Sequence, residues 1–263
     1  MSNTISKIWT VARYTFKEGV RANFFVAAAL TCVAVVLIGS VIASVPYGRA
    51  DHLIGRIGWG TVLLTGVAVN LFFVITMLAR ERDERVLHLL VSKPISRSQY
   101  ALGKFFGYYA LMALMVCGEG LVVAAMMNAF GEFPRDFLAD WWQPALFVTL
   151  KCGTLVAFSC FAAFVFSTPL VAMAVTATYY LMAVSGADIT TWGQLSENPI
   201  YEQLGQVMSW LAPQFTVYDF EGWQIYGVET TARALAAGGG YFLGYTAIAL
   251  VFYVVAFEWL ELG

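Results

Sequence analysis

Gly58–Ala79 reads GWGTVLLTGVAVNLFFVITMLA, and Arg80–Lys104 reads RERDERVLHLLVSKPISRSQYALGK. The first stretch carries no charge over 22 residues. As a helix it would be about 33 Å long, enough to cross a hydrocarbon core of about 30 Å. The second stretch places nine charged residues in 25. Charged side chains are too costly at mid-bilayer, so the edge of the apolar layer falls at Arg80.

Outward from there the same alternation recurs. Spans are expected at Phe24–Val45, Gly58–Ala79, Phe105–Phe130, Pro144–Phe166, Pro169–Ala187 and Leu235–Phe257. Pro46 ends the first, and Gly238-Gly239-Gly240 opens the last with small residues that allow close helix approach. The fold class is therefore an all-α integral membrane protein. One transmembrane domain covers 1–263, with an N-terminal helix over 1–22, six spans, a charged segment over 80–104 and a long segment over 188–234. Composition agrees, because 60% of the 263 residues are hydrophobic and 12% charged, against about 25% charged in soluble domains.

Several function classes are disfavoured by the same residues. A net charge of −2 with no basic stripe gives nothing to neutralise nucleic-acid phosphates. Cys32, Cys117, Cys152 and Cys160 lie inside apolar runs without a C-x-x-C pair, and His52 and His88 stand alone, so no metal or redox cluster can be drawn. Charges continue to Arg21 before the first apolar run, unlike a cleavable signal peptide.

Over residues 4–21, Ile5, Ile8, Trp9, Ala12, Phe16 and Val20 share one helical face, with Lys7, Arg13, Lys17 and Arg21 on the other. That pattern predicts an interfacial helix in the headgroup plane, in contact with lipid. Basic residues set the orientation. Ten (Lys7, Arg13, Lys17, Arg21, Arg80, Arg82, Arg85, Lys93, Arg97, Lys104) fall on the side of the N-terminus, and four (Arg49, Arg56, Arg135, Arg233) on the other. Both termini are expected in the cytoplasm, in an inner membrane. The aromatic, acidic segment 188–234 is expected half-buried at the outer interface.

The charged segment continues the second span as a helix presenting Val86, Leu87, Leu89 and Leu90. Pro94 disfavours helix at Lys93, and Ser96 or Ser98 can cap a second helix leading into the third span. The result is a compact knuckle joined to two spans, suited to receive force from a soluble partner.

These residues resemble the coupling segment of ABC-2 type transporter permeases. That family's pattern runs Glu-x-x-x-Gly-Thr, a leucine pair, Ser-x-Pro-[Val/Ile]-Ser-Arg and Gly-Lys. Here Glu81, Leu89-Leu90, Ser92-Lys93-Pro94-Ile95-Ser96-Arg97 and Gly103-Lys104 stand in that order, with Arg85-Val86 in place of Gly-Thr. Glu18-Gly19-Val20-Arg21 resembles the family's Glu-x-x-Arg before its first span. The chain is similar in particular to the group that includes the permease of the nitrous-oxide reductase maturation cluster. The resemblance implies a type V exporter-like architecture, and two permease copies or homologues paired with two cytoplasmic ABC ATPase subunits. ATP and Mg would be bound by those subunits, since no G-x-x-x-x-G-K-[ST] occurs here. It also implies outward transport, or mechanical work on a partner outside the membrane.

Glu119 and Lys151 are the charges inside the expected spans. Counted from the ends of their spans they fall at similar depth, so a structural ion pair is predicted. A lone Lys151 reaching outward and a cargo-lining pair are the alternatives. A secondary transporter would show interrupted helices and midplane charges, and an intramembrane enzyme clustered nucleophiles. A non-transporting scaffold would differ only in lacking an ATPase partner.

Overall fold

The computed structural model describes residues 2–21, 24–43, 50–83, 96–130, 140–196, 199–216, 219 and 231–259. These residues form helices and no strands. The helices are α1 (Ser2–Arg21), α2 (Phe24–Ala43), α3 (Ala50–Val69), a π-helical turn (Asn70–Val74), α4 (Ile75–Asp83), α5 (Arg97–Phe130), α6 (Trp142–Val165), α7 (Pro169–Leu195), α8 (Pro199–Leu211) and α9 (Ala232–Trp259). Five helical stretches among the described residues are long and apolar enough to cross a membrane: His52–Arg82, Arg97–Phe130, Trp142–Val165, Pro169–Leu195 and Ala232–Phe257. In α2 the apolar run Ala29–Val41 is shorter.

Helix α5 is the axis of the bundle. Trp59 of α3 packs against Gly120, and Gly58 faces Val123. Helix α6 lies on the other side, where Gly153 accepts the ring of Tyr109. Further packing comes from rings: Phe164 meets Tyr253 and Phe257 of α9 at 5.5 and 4.6 Å, and Phe158 stacks on Tyr179 of α7 at 3.9 Å. Aliphatic burial distinguishes little between helices in lipid. Close approach at small residues and interlocking rings therefore carry the specificity.

Helix α1 packs on α5. Val11 meets Gly103, Thr15 meets Gly107, and Leu111 fills the space beside Gly19. Both chains advance in equal steps of four, so α1 runs alongside α5 in the same direction for about two turns. Gly103-x-x-x-Gly107 provides the seat. The helix is docked lengthwise on another helix through Val11, Ala12 and Thr15, all buried. Of the apolar face drawn from the sequence, Ile5 and Trp9 remain exposed.

Two helices extend beyond the expected spans. Helix α3 begins at Ala50, ahead of Gly58. Helix α7 continues past Ala187 to Leu195, with Thr190 and Thr191 donating their hydroxyls to the carbonyls of Gly186 and Ala187 at 2.9 and 3.0 Å. Polar side chains that bond back to the preceding turn let a helix persist past the point where hydropathy falls. The chain then reverses. Gly193 abuts the backbone of Glu202 and Gly205 that of Thr190, and the Phe215 N–H donates to the Ala183 carbonyl at 2.8 Å. Helix α8 therefore returns antiparallel along α7 by roughly 18 Å. The start of segment 188–234 is a helical hairpin, with Trp192 and Trp210 exposed and Phe215 buried.

Candidate functional site

The coupling motif divides into an inner part and an outer part. Arg85, Leu89, Leu90, Lys93 and Pro94 lie outside the described residues. Ser96 and Arg97 are exposed at the start of α5. Ser96 is the cap: its hydroxyl accepts the Gln99 N–H at 3.3 Å, and the Gln99 side chain accepts the Ser96 N–H at 3.2 Å. This reciprocal pair satisfies two otherwise orphaned donors, and it fixes where α5 begins.

Glu81, Gly103 and Lys104 are turned inward. Lys104 is only 3% exposed, so it does not present the surface charge expected for a docking groove. Its ammonium pairs with Glu81 and lies 3.6 Å from Glu18 Oε2. It also sits over the rings of Tyr100 and Tyr108, at 5.7 and 5.8 Å. Tyr100 donates its hydroxyl to Glu81 at 2.7 Å and stacks on Phe257 of α9. A buried ammonium needs such a complete set of partners, because the loss of water is costly. The Glu-x-x-Arg motif before the first span contributes Glu18 to the same cluster. Arg21 is exposed at the end of α1, Trp9 is exposed, and Phe16 is half-buried.

The residue after Glu81 reaches the opposite way. Arg82 Nη1 donates to the carbonyls of Ala163 and Phe166, at 3.0 and 2.7 Å, and Nη2 donates to that of Ser167. A helix C-terminus leaves carbonyls without intrahelical donors, and the guanidinium supplies them at the α6–α7 turn. Successive helical residues point about 100° apart. Glu81 therefore holds α5, whose Lys104 in turn reaches Glu18 of α1, while Arg82 holds the end of α6 and the α6–α7 turn, and α4 becomes a hub. Sequence reasoning missed Arg82 in this role, together with Tyr100. A signal existed in the Tyr100–Lys104 spacing of one helical turn, which points both side chains at one acceptor.

Above the hub, the π turn interrupts the helix at Asn70, whose amide donates to the Gly66 carbonyl at 3.0 Å. A π turn widens the helix and loosens its ladder, and it is a common place for a bend.

The predicted Glu119–Lys151 pair is not formed. Glu119 Oε1 accepts the Thr31 hydroxyl of α2 at 2.6 Å, and Oε2 has no hydrogen-bond partner among the described residues. Gly120 is level with Ala145, and Tyr109 with Gly153. Lys151 therefore lies roughly 8–12 Å along the bundle from Glu119. Span-end counting went astray because it assumed that α5 and α6 reach the membrane edge at equivalent residues. Groups this far apart behave additively. A double-mutant cycle with Glu119→Gln and Lys151→Met should give a coupling below about 0.5 kcal/mol; thermal melts of the four proteins check it, and rescue in the double mutant would restore the pair.

Residues 53–257 match the family described as ABC-2 family transporter protein. No curated protein is significantly similar to the chain.

Proposed function

The chain belongs to the ABC-2 transporter family and is a membrane subunit of an ABC transporter, and from that premise we propose that it converts ATP hydrolysis by a partner ATPase into movement of the bundle end held by α4. Family membership implies pairing with an ABC ATPase. We infer two ATPase copies, which bind the ATP and Mg, and a second permease copy or homologue. Residues 84–95 with Ser96 and Arg97 would seat on the ATPase from an inner membrane, with both termini cytoplasmic. The work would be outward translocation of a cargo, or mechanical action on an external partner.

The observation that carries this reading is the hub itself. Glu81 and Arg82 stand next to the segment expected to receive force: Glu81 is bonded to α5, whose Lys104 also reaches Glu18 of α1, and Arg82 to α6 and the α6–α7 turn. A push on the segment is then shared by these helices together. The π turn at Asn70–Val74 offers a place where α4 can bend relative to α3.

Arg97 is the accessible end of the motif and supplies the direct test. Arg97→Glu should leave ATP hydrolysis by the assembled complex running while its coupling to the membrane subunit falls at least about tenfold, as for truncating a charge that meets an opposite charge across an interface. Reconstituted vesicles with the ATPase present report both rates. Unchanged coupling removes Arg97 from the interface. Gentle purification of the tagged chain that recovers no ATPase, where a known ABC complex survives, favours a scaffold or a secondary transporter instead.

A further inference from the structure

Docking of α1 on α5 leaves an open groove of about 830 Å³ on one side of the seam. Residues of α1 from Ile5 to Phe16 form one wall, and Phe106, Tyr109, Ala110 and Ala113 the other. Arg13 is the charged residue on its lining. The volume lies within the range of about 300–1,000 Å³ typical of ligand pockets. The groove arises because two alanines one turn apart on α5 face α1 residues that are not used to grip it.

We propose that this groove holds an acyl chain of an anionic phospholipid whose phosphate is bound by Arg13 and Lys17. Three observations commit the site to this occupant. Arg13 and Lys17 are one turn apart, exposed, and without an ion-pair or hydrogen-bond partner among the described residues. Glu18, the adjacent acid, is engaged by Lys104. The register of α1 on α5, Val11 against Gly103 and Thr15 against Gly107, sets Arg13 level with Phe105. Phe105 begins the uncharged run that continues to Gly118. The guanidinium therefore stands level with the start of that run, within the groove, and the α5 wall from Phe106 to Ala113 lies inside the run. Basic side chains beside a membrane surface attract anionic headgroups, and Lys17 can extend its ammonium to the same plane. A second copy of the chain is a poorer occupant, because a twofold contact across this groove would bring together the Arg13 and Lys17 cations of both copies.

The site does not depend on how the ATPase is coupled, so its test is separate from that of Arg97. The full chain, purified in detergent, is mixed with equimolar phosphatidylglycerol and phosphatidylcholine, and retained lipid is counted by native mass spectrometry. One phosphatidylglycerol per chain should be kept in preference to phosphatidylcholine. Arg13→Gln and Lys17→Gln should each weaken that preference roughly fivefold, while Ala113→Trp, which fills the groove, should remove retention of both lipids. Equal retention of the two lipids, or a preference unchanged by Arg13→Gln, overturns the proposal, as does lipid retention that survives Ala113→Trp. Loss of self-association in Ala113→Trp with lipid unchanged would assign the groove to a second copy. If the tryptophan variant does not fold, the exposed Arg13→Gln substitution decides the matter by itself.

Discussion

Replacing Lys104 by Met destabilises the protein by about 3 kcal/mol, the penalty of leaving a buried carboxylate without its counter-charge. Lys104 is the cation between Glu81 and Glu18, and its side chain is 4% exposed against 13% for Glu81. Methionine matches its length and packs against Tyr100 and Tyr108, so little of the effect comes from a void. What remains is an anion that keeps the Tyr100 hydroxyl but loses its ammonium. Adding Glu81→Gln removes that anion, so the double variant should recover more than half of the lost stability. Thermal unfolding in detergent, followed for wild type, both single variants and the double, gives the comparison. Additive losses with no recovery would mean that the cluster acts through packing alone. Because Glu18 is 37% exposed, its own substitution by Gln should cost well under half as much, water replacing part of the lost charge.

Gly103→Leu and Gly107→Leu should each detach α1. A Cβ at position 103 would stand 2.6 Å from Val11 Cβ and 3.0 Å from the Ile8 carbonyl oxygen. At position 107 it would stand 2.6 Å from Thr15 Cβ and 2.8 Å from the Ala12 carbonyl. The obstacles include backbone, so a rotamer change cannot relieve them and α1 itself must move. Overpacking of this kind costs about 1–3 kcal/mol, and here a displaced α1 also withdraws Glu18 from Lys104. Limited trypsin digestion reads the outcome: cleavage after Arg13, Lys17 and Arg21 should accelerate in the leucine variants while α5 stays protected. Cleavage at the wild-type rate would show that α1 is not held at these glycines.

The two substitutions bear on how far the chain could be read in advance. Gly103-Lys104 was legible as a motif, and the resemblance placed it in a surface that meets a partner. The structure places both residues inside, one making room for α1 and the other neutralising two acids. In this chain the pair has a packing reason, which a linear pattern cannot express. Glu119 and Lys151 teach the same lesson in reverse. Their types and approximate depths suggested a bond, but the offset of α5 against α6 separates them, and a residue with no charge, Thr31, takes the carboxylate. Helix α7 outruns the expected fifth span, since hydropathy drops at Asp188 while the helix does not stop there.

By itself the sequence determined the class of protein, the position of the apolar runs, the charged segment between the second and third, and the family to which they belong. All of these depend on one-dimensional quantities: the length of an uncharged run, the cost of a charge in hydrocarbon, and the order of a few motif residues. Only the tertiary structure decided which face of α1 is gripped, where α7 turns back, and that Glu81 and Arg82 divide their bonds between two sides of the bundle. Those outcomes depend on the axial register and rotation of one helix against another. In a bilayer these are set by a handful of glycines and polar contacts rather than by hydrophobicity, which every lipid-facing surface shares.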